Sequence, residues 1–273
     1  MKKRMFALLL LSVLVLTGCG VLGKPEPVEN EWKLTQADAL TLAGGTTLDL
    51  WQQDLFSRNS YRLKDGTEIL KEELPSGPEN VYVAGRESIH DLPEAAQAAI
   101  SAYYEERGLL YDLTAEAEKA YNAYLACERS ERDFSARLVE QSISLSASND
   151  QMVYFLTSMT LPLNDQMGMS YQLGDAFDRA TGEFIPMREL FAVSEEEVRA
   201  AIARSFWPED GAEQREVEEK LLAEFLVFQP DSLNVQFPPG VLSTQTYSTI
   251  AGIDYEDLVG ILHDWAVPDP IKS

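Results

Sequence analysis

Cysteine and histidine are scarce in this chain, which holds only Cys19 and Cys127, His90 and His263. Two cysteines exclude a disulfide-stapled scaffold, and a core of this size needs none. Two histidines, beside Asp91 and Asp264, are too few to gather a histidine-centred zinc or catalytic site. His263 falls next to an apolar stripe and reads as a surface or core-edge residue. The Gly-x-Ser-x-Gly elbow, His-Glu-x-x-His, a phosphate-binding glycine loop and Cys-x-x-Cys are all missing. Positive charge is short as well: 22 Lys and Arg face 45 Asp and Glu, a net charge of −23. Such a surface repels nucleic acid and anionic lipid headgroups. Two readings of the charge stay open, solubility alone or attraction of a cationic partner.

Long apolar runs are missing too, with one exception. Lys2, Lys3 and Arg4 precede an apolar stretch from Met5 to Leu16 that only Ser12 interrupts. At about twelve residues it is shorter than the roughly 20 a spanning helix needs. A basic start, a short apolar core and small residues before a cut describe a secretory leader. Leu16-Thr17-Gly18-Cys19 resembles the bacterial lipobox, in which the cysteine becomes the new N-terminus and carries a diacylglycerol. Two acyl chains anchor stably where one binds marginally. The expectation is a lipid-anchored protein on the extracytoplasmic face of a bacterial membrane. Without Lys2, Lys3 and Arg4 the net charge is about −26. Lipidation of Cys19 leaves Cys127 unpartnered.

The composition, 45% hydrophobic and 25% charged, is that of a globular chain. Gly20 to Gly45 reads as a tether; some 25 flexible residues span roughly 25–30 Å. Folded sequence is expected from Thr46. Asp65-Gly66 between two β-prone runs predicts a hairpin, because its tight turn needs positive φ. Val81-Tyr82-Val83 suggests another strand. Leu92 to Arg107 reads as a helix stopped by Gly108. A second helix is expected from Thr114 to about Arg132, with Leu113, Ala117, Ala120, Tyr121, Tyr124 and Cys127 on one stripe. That stripe makes Cys127 a small buried hydrophobe.

The period then changes. Ile143, Leu145 and Ala147 alternate with serines. Val153, Phe155, Thr157, Met159 and Leu161 alternate after Asn149-Asp150. An antiparallel hairpin with one dry face follows. Ser170 to Phe177 is the next strand, and Gly182 marks a bulged turn. Ser194 and Glu197 form a capping box over a helix buried along Val198, Ala201, Ile202 and Phe206. A further helix is expected from Glu213 to Leu226. A strand pair turns at Pro230-Asp231, and a last helix capped by Asp254 buries Leu258, Ile261, Leu262 and Trp265. Strands and helices in mixed runs indicate α+β with a largely antiparallel sheet.

"FDRATGEFIPMRELF" resembles a signature of the RsiV-like extracytoplasmic domain family, a domain of unknown function. Phe177, Asp178, Thr181, Gly182, Leu190 and Phe191 stand at its marked places. "FLVFQPDSLNVQF", "IDYEDLVGIL" and "SISLSASNDQMVYFLTSMTL" resemble the family's later hairpin, closing helix and earlier strand pair. The chain departs from the pattern at "NDQMGMSYQLGD", which has no histidine where the family often shows Gly-Gly-x-His. The resemblance implies an extracytoplasmic binding domain of the lysozyme-binding anti-sigma ectodomain type. The expected organisation is a leader at 1–18, a tether at 19–45, an N-terminal α/β region at 46–133, an RsiV-like α+β domain at 134–267 and a tail at 268–273.

Two softer patterns remain. Asp175, Asp178 and Glu183 gather at one turn, and are either solvated acids or a calcium site outside the known loop spacings. Trp51, Phe56, Tyr61, Tyr103, Tyr104 and Tyr111 crowd the first half and are either core or the lining of a glycan groove. The leading expectation is a non-enzymatic module without cofactor or metal. Its partners are the membrane, through the lipid on Cys19, and a cationic protein such as lysozyme, with no nucleic acid. The alternatives are an enzyme or accessory factor of cell-wall glycan and a structural lipoprotein without ligand.

Overall fold

The computed structural model describes residues 34–53, 58–78, 87–162, 168–206, 211–243 and 249–270. Leu34–Ser273 is one unit. Val81-Tyr82-Val83 and Phe56 lie outside the described residues, as do Leu16, Thr17, Gly18 and Cys19.

Seven strands lie side by side in chain order: β1 (Leu34–Thr41), β2 (Thr47–Gln53), β3 (Arg58–Arg62), β4 (Glu68–Ser76), β5 (Arg137–Ser148), β6 (Met152–Pro162) and β7 (Gly168–Asp178). All neighbours are antiparallel except β4 and β5. The β3–β4 hairpin turns where expected. Gly66 takes a φ of 92°, open to glycine without strain, and Thr67 N–H is held by the Asp65 carboxylate at 2.9 Å. β1 corrects the tether reading, because Leu34–Thr41 pairs with β2 as an edge strand. Its mostly exposed side chains and its bulge between Gln36 and Ala39 suit an edge that should not recruit further strands.

The crossover from β4 to β5 contains α1 (Glu94–Arg107) and α2 (Leu113–Arg129). Gly108, at φ 64°, stops α1 as expected, and Asp112 caps α2 by accepting from Thr114 and Ala115 N–H. The buried stripe of α2 is Ala117, Ala120, Ala123 and Cys127, with Tyr121 and Tyr124 half-buried. Small residues let the helix approach Leu70, Tyr61 and Val139 of the sheet. α1 packs Ala96, Ile100 and Tyr104 against Val153, Phe155 and Phe177. Gln141 of β5 pins the junction of the two helices: it donates to Gly108 C=O at 3.0 Å and accepts from Leu110 N–H at 2.9 Å.

The β5–β6 hairpin differs from expectation in being dry on both faces of β6, where Met152 through Thr157 are all buried. Val153 and Phe155 meet α1, while Met152 and Tyr154 meet a second core. That core comes from far along the chain, so alternation within the hairpin could not reveal it. It contains α3 (Glu195–Phe206), α4 (Ala212–Lys220) and a three-stranded antiparallel sheet of β8 (Leu226–Phe228), β9 (Ser232–Phe237) and β10 (Thr249–Asp254). Tyr154 stacks on Phe228 with centroids 4.4 Å apart. The capping box of α3 is present, with Ser194 Oγ accepting from Glu197 N–H and Glu197 accepting from Ser194 N–H. α4 ends at Lys220 rather than Leu226, and Leu226 instead opens β8.

The expected last helix is also corrected. Tyr255–Leu258 and Asp264–Ala266 form two short 3-10 turns, separated by Gly260 at φ 79°. Between them the chain turns, with Ile261 and Leu262 N–H both donating to Leu258 C=O, and it then bonds across the fold: Ala192 N–H donates to Ile261 C=O and His263 N–H to Leu190 C=O. This ladder competes with helix formation and buries Leu258 and Leu262 while leaving Trp265 36% exposed. The architecture is α+β, mostly antiparallel, as the sequence indicates.

Candidate functional site

The Phe177-to-Phe191 motif builds the region from which the site grows. Phe177 is fully buried at the end of β7 and bridges to Phe184. The Asp178 carboxylate accepts from Ala180 N–H, Thr181 N–H and Thr181 Oγ1 at 2.8–3.0 Å, which closes the turn. Gly182 follows at φ 73°, and a Cβ there would lie 2.5 Å from the Ala96 carbonyl oxygen. The turn therefore touches the backbone of α1, as only glycine permits. Beyond it Leu190 and Phe191 are buried. The motif residues are thus structural: they clamp α1 onto β7.

That clamp places three side chains of α1 over Asp175. Tyr104 OH donates to Asp175 Oδ2 at 3.0 Å, Tyr103 OH to Oδ1 at 3.2 Å, and Arg107 pairs with Oδ2. The side chain of Asp175 is 5% exposed and that of Arg107 18%. Burial lifts the Asp175 carboxyl above its ordinary value, against the pull of Arg107 and of the two hydroxyls. Burial and the carboxylate together push Tyr103 up to about 12 and Tyr104 well above the phenol range. All three tyrosine and arginine donors serve the charged form, so they oppose but do not overcome desolvation.

A cavity of about 770 Å³ opens beside this cluster. Tyr103, Phe184, Met187 and Leu222 form its apolar part, and Glu106, Arg107, Asp175 and Glu224 its charged part. The rings of Tyr103 and Phe184 stack at 5.0 Å, and Phe184 is 38% exposed. With Arg107 already paired to Asp175, Glu106 and Glu224 leave the lining net negative. Gly174 allows this approach: a Cβ on it would fall 1.9 Å from the Leu226 carbonyl oxygen, where β8 crosses β7.

Of the six aromatics singled out in the sequence, the five that are described do not form one groove. Tyr61 and Tyr111 join a second carboxylate, Glu72 on β4, which is 4% exposed. Its Oε2 accepts from Asn59 Nδ2 and Tyr61 OH, both at 2.8 Å, and its Oε1 from Tyr111 OH at 3.1 Å. Burial and Glu72 push both phenols upward. Trp51 is half-buried on β2. Asp175 is also separated from Asp178 and Glu183: one is buried among donors, the others are at the turn. Among the described residues no three His, Cys, Asp or Glu groups gather as a metal set. His90 is exposed, His263 stacks on Trp265 at 5.5 Å, and Cys127 is a buried free thiol. Sequence reasoning missed the Arg107–Asp175 pair. Its one visible signal was an arginine one turn after a tyrosine pair at a helix end.

Among the described residues no helix is long and apolar enough to cross a membrane. No family model and no curated protein matches the chain. Two solved structures are similar at low identity. A DUF3298 family protein from Pseudomonas aeruginosa is 14% identical, with a TM-score of 0.33 over 48% of this chain and 65% of that one. A member of the DUF3298 family from Bacteroides fragilis is 9% identical, with a TM-score of 0.42 over 85% of this chain and 92% of that one. This chain thus spans just under two thirds of the length of the first.

Proposed function

We propose that this protein is a non-catalytic binding module, held at the outer face of a bacterial membrane by lipid on Cys19, whose partner is a cationic protein of lysozyme-like or other envelope type. One observation carries the reading. Of the Asp and Glu among the described residues, only Glu72, Glu116 and Asp175 are buried, so the acid excess faces solvent. A surface of that sign raises the encounter rate with basic proteins and falls in effect with salt. The cavity beside Asp175 supports the same reading. A lysine or arginine could lay its stem along Met187 and Leu222, its charge beside Glu106 and Glu224, and its cation over the exposed aromatic faces. Of the three buried carboxylates, Glu72 and Asp175 have both oxygens occupied by donors, which suits scaffolding better than proton transfer, and Glu116 pairs with Lys119 through Oε1 alone.

The test is titration of the soluble domain from Leu34 onward with lysozyme at about 20 mM and 300 mM salt. The expected result is binding that weakens at least tenfold at the higher salt, and weakens again in Glu106→Gln/Glu224→Gln. Affinity indifferent to salt would overturn the reading. A second reading, recognition of cell-wall glycan, draws on the Tyr103–Phe184 stack at the cavity wall. Binding of uncharged glycan fragments, lost in Phe184→Ala and insensitive to salt, would favour it. Mass spectrometry of the native N-terminus should show acylated Cys19.

A further inference from the structure

A second cavity, about 360 Å³, adjoins the first and shares Pro186, Met187, Leu222 and Ala223 with it. Its floor is core: Met187, Phe191, Val198, Leu221 and Leu226 are all buried members of the second core. Protein interiors pack to crystal density and leave few voids larger than a water. A cleft this large, reaching core side chains between α3 and the Leu221–Leu226 connection, therefore has the character of a ligand pocket. Its size and apolar lining match those of small-molecule sites. At about 30 Å³ per water-sized group it takes roughly twelve such groups.

The lining carries two arginines, and one of them, Arg199, is neutralised by Glu195. Arg188, exposed, and Arg199 both line the cavity, with Glu195 as the one carboxylate of the lining. Arg199 is held in place: Nε donates to Glu195 Oε1 at 3.0 Å, and Nη1 donates to the Glu218 and Glu219 carbonyls at 3.3 and 3.4 Å. With Arg199 paired to Glu195, Arg188 leaves the lining one positive charge in a chain of net charge −23. Guanidinium forks fit carboxylate and phosphate heads, and the well beneath offers only apolar side chains.

From this juxtaposition we infer that the cavity binds a single-chain anionic amphiphile, its tail of about ten carbons against Val198, Leu221 and Leu226 and its head at Arg188. The site is independent of the cationic-partner reading, because it uses the other cavity and the other charge.

The experiment is isothermal titration of the domain from Leu34 onward with decanoate, decyl phosphate, decyltrimethylammonium and butyrate, each below its micellar range. Decanoate or decyl phosphate should bind at least tenfold more tightly than decyltrimethylammonium, with butyrate showing no heat. Whichever anionic probe is tighter identifies the head group. Arg188→Glu, at an exposed position, should keep the thermal midpoint and lose at least tenfold in affinity for the anionic probes. Val193→Trp, which fills the void from one wall, should abolish binding of any tail. Equal affinity for the cationic and anionic amphiphiles, unaltered affinity in Arg188→Glu, or no binding to the unaltered protein would each overturn the inference.

Discussion

Glu72 on β4 and Asp175 on β7 belong to one sheet, and each is gripped by two tyrosine hydroxyls. The third donor differs. Glu72 receives the neutral amide of Asn59, its cross-strand neighbour, whereas Asp175 receives the guanidinium of Arg107 from a helix. The surroundings differ as well, since the first carboxylate is closed in by its donors and the second lines a cavity. The lesson concerns what a buried charge is for. A local, neutral grip knits neighbouring strands. A grip that brings in a cation from a helix sets where the helix sits, and so shapes the opening beside it. Removing one partner of a buried ion pair strands the other, a larger loss than the pair's net worth.

The comparison can be broken most directly at Arg107. Arg107→Met strands the Asp175 carboxylate and should cost about 3–5 kcal/mol at neutral pH, read as a shift of the urea midpoint. The pH dependence gives the sign. Asp175 already lies above its ordinary 3.8, burial being the chief cause. A raised carboxyl contributes stability that is fully present below the unfolded value and lost as pH rises through the folded one. Removing Arg107 raises it further, so the variant's deficit should shrink as pH falls from 7 toward 4. A deficit that stays flat across that window would mean that Asp175 is not the stranded group.

Gly174→Ala tests the crowding next to Asp175. Its methyl group would meet the Leu226 carbonyl, and overpacking of this kind should cost about 1–3 kcal/mol in thermal or urea unfolding. A neutral outcome would mean that β8 moves away freely. Glu72→Gln sharpens the contrast. It keeps one acceptor oxygen among neutral donors and should cost about 1 kcal/mol. A loss equal to that of Arg107→Met would erase the distinction between the two grips. Smallest is Tyr111→Phe, which removes one hydroxyl from a half-buried ring, for about 0.5–1 kcal/mol. An effect beyond that range would show Tyr111 to be a main support of α2.

Local signals in the sequence were reliable where the cause was local. Asp65-Gly66 turned the β3–β4 hairpin, Ser194 and Glu197 capped α3, and Gly108 stopped α1. β1 was illegible because Leu34-Thr35-Gln36-Ala37-Asp38 carries no strand alternation; partnership with β2 makes it a strand. The last helix was misread because Leu258, Ile261, Leu262 and Trp265 do fall at helical spacing. Gly260 and the bonds to Leu190 and Ala192 override that pattern. The site suffered most. Asp175 read as one of three turn acids, and only the packing of α1 on β7 joins it to Tyr103 and Arg107. Both cavities are enclosed by residues brought together from separate stretches, which no spacing encodes.

Strand order also governs how such a chain can reach its fold. Every neighbouring pair in the large sheet is joined by a short connection except β4 and β5, where Leu70 meets Arg137. Pairings distant in sequence are rewarded only after loop-closure entropy has been met. The two antiparallel blocks can therefore form from nearby contacts, and the lateral joining of one block to the other becomes the slow, late event of folding.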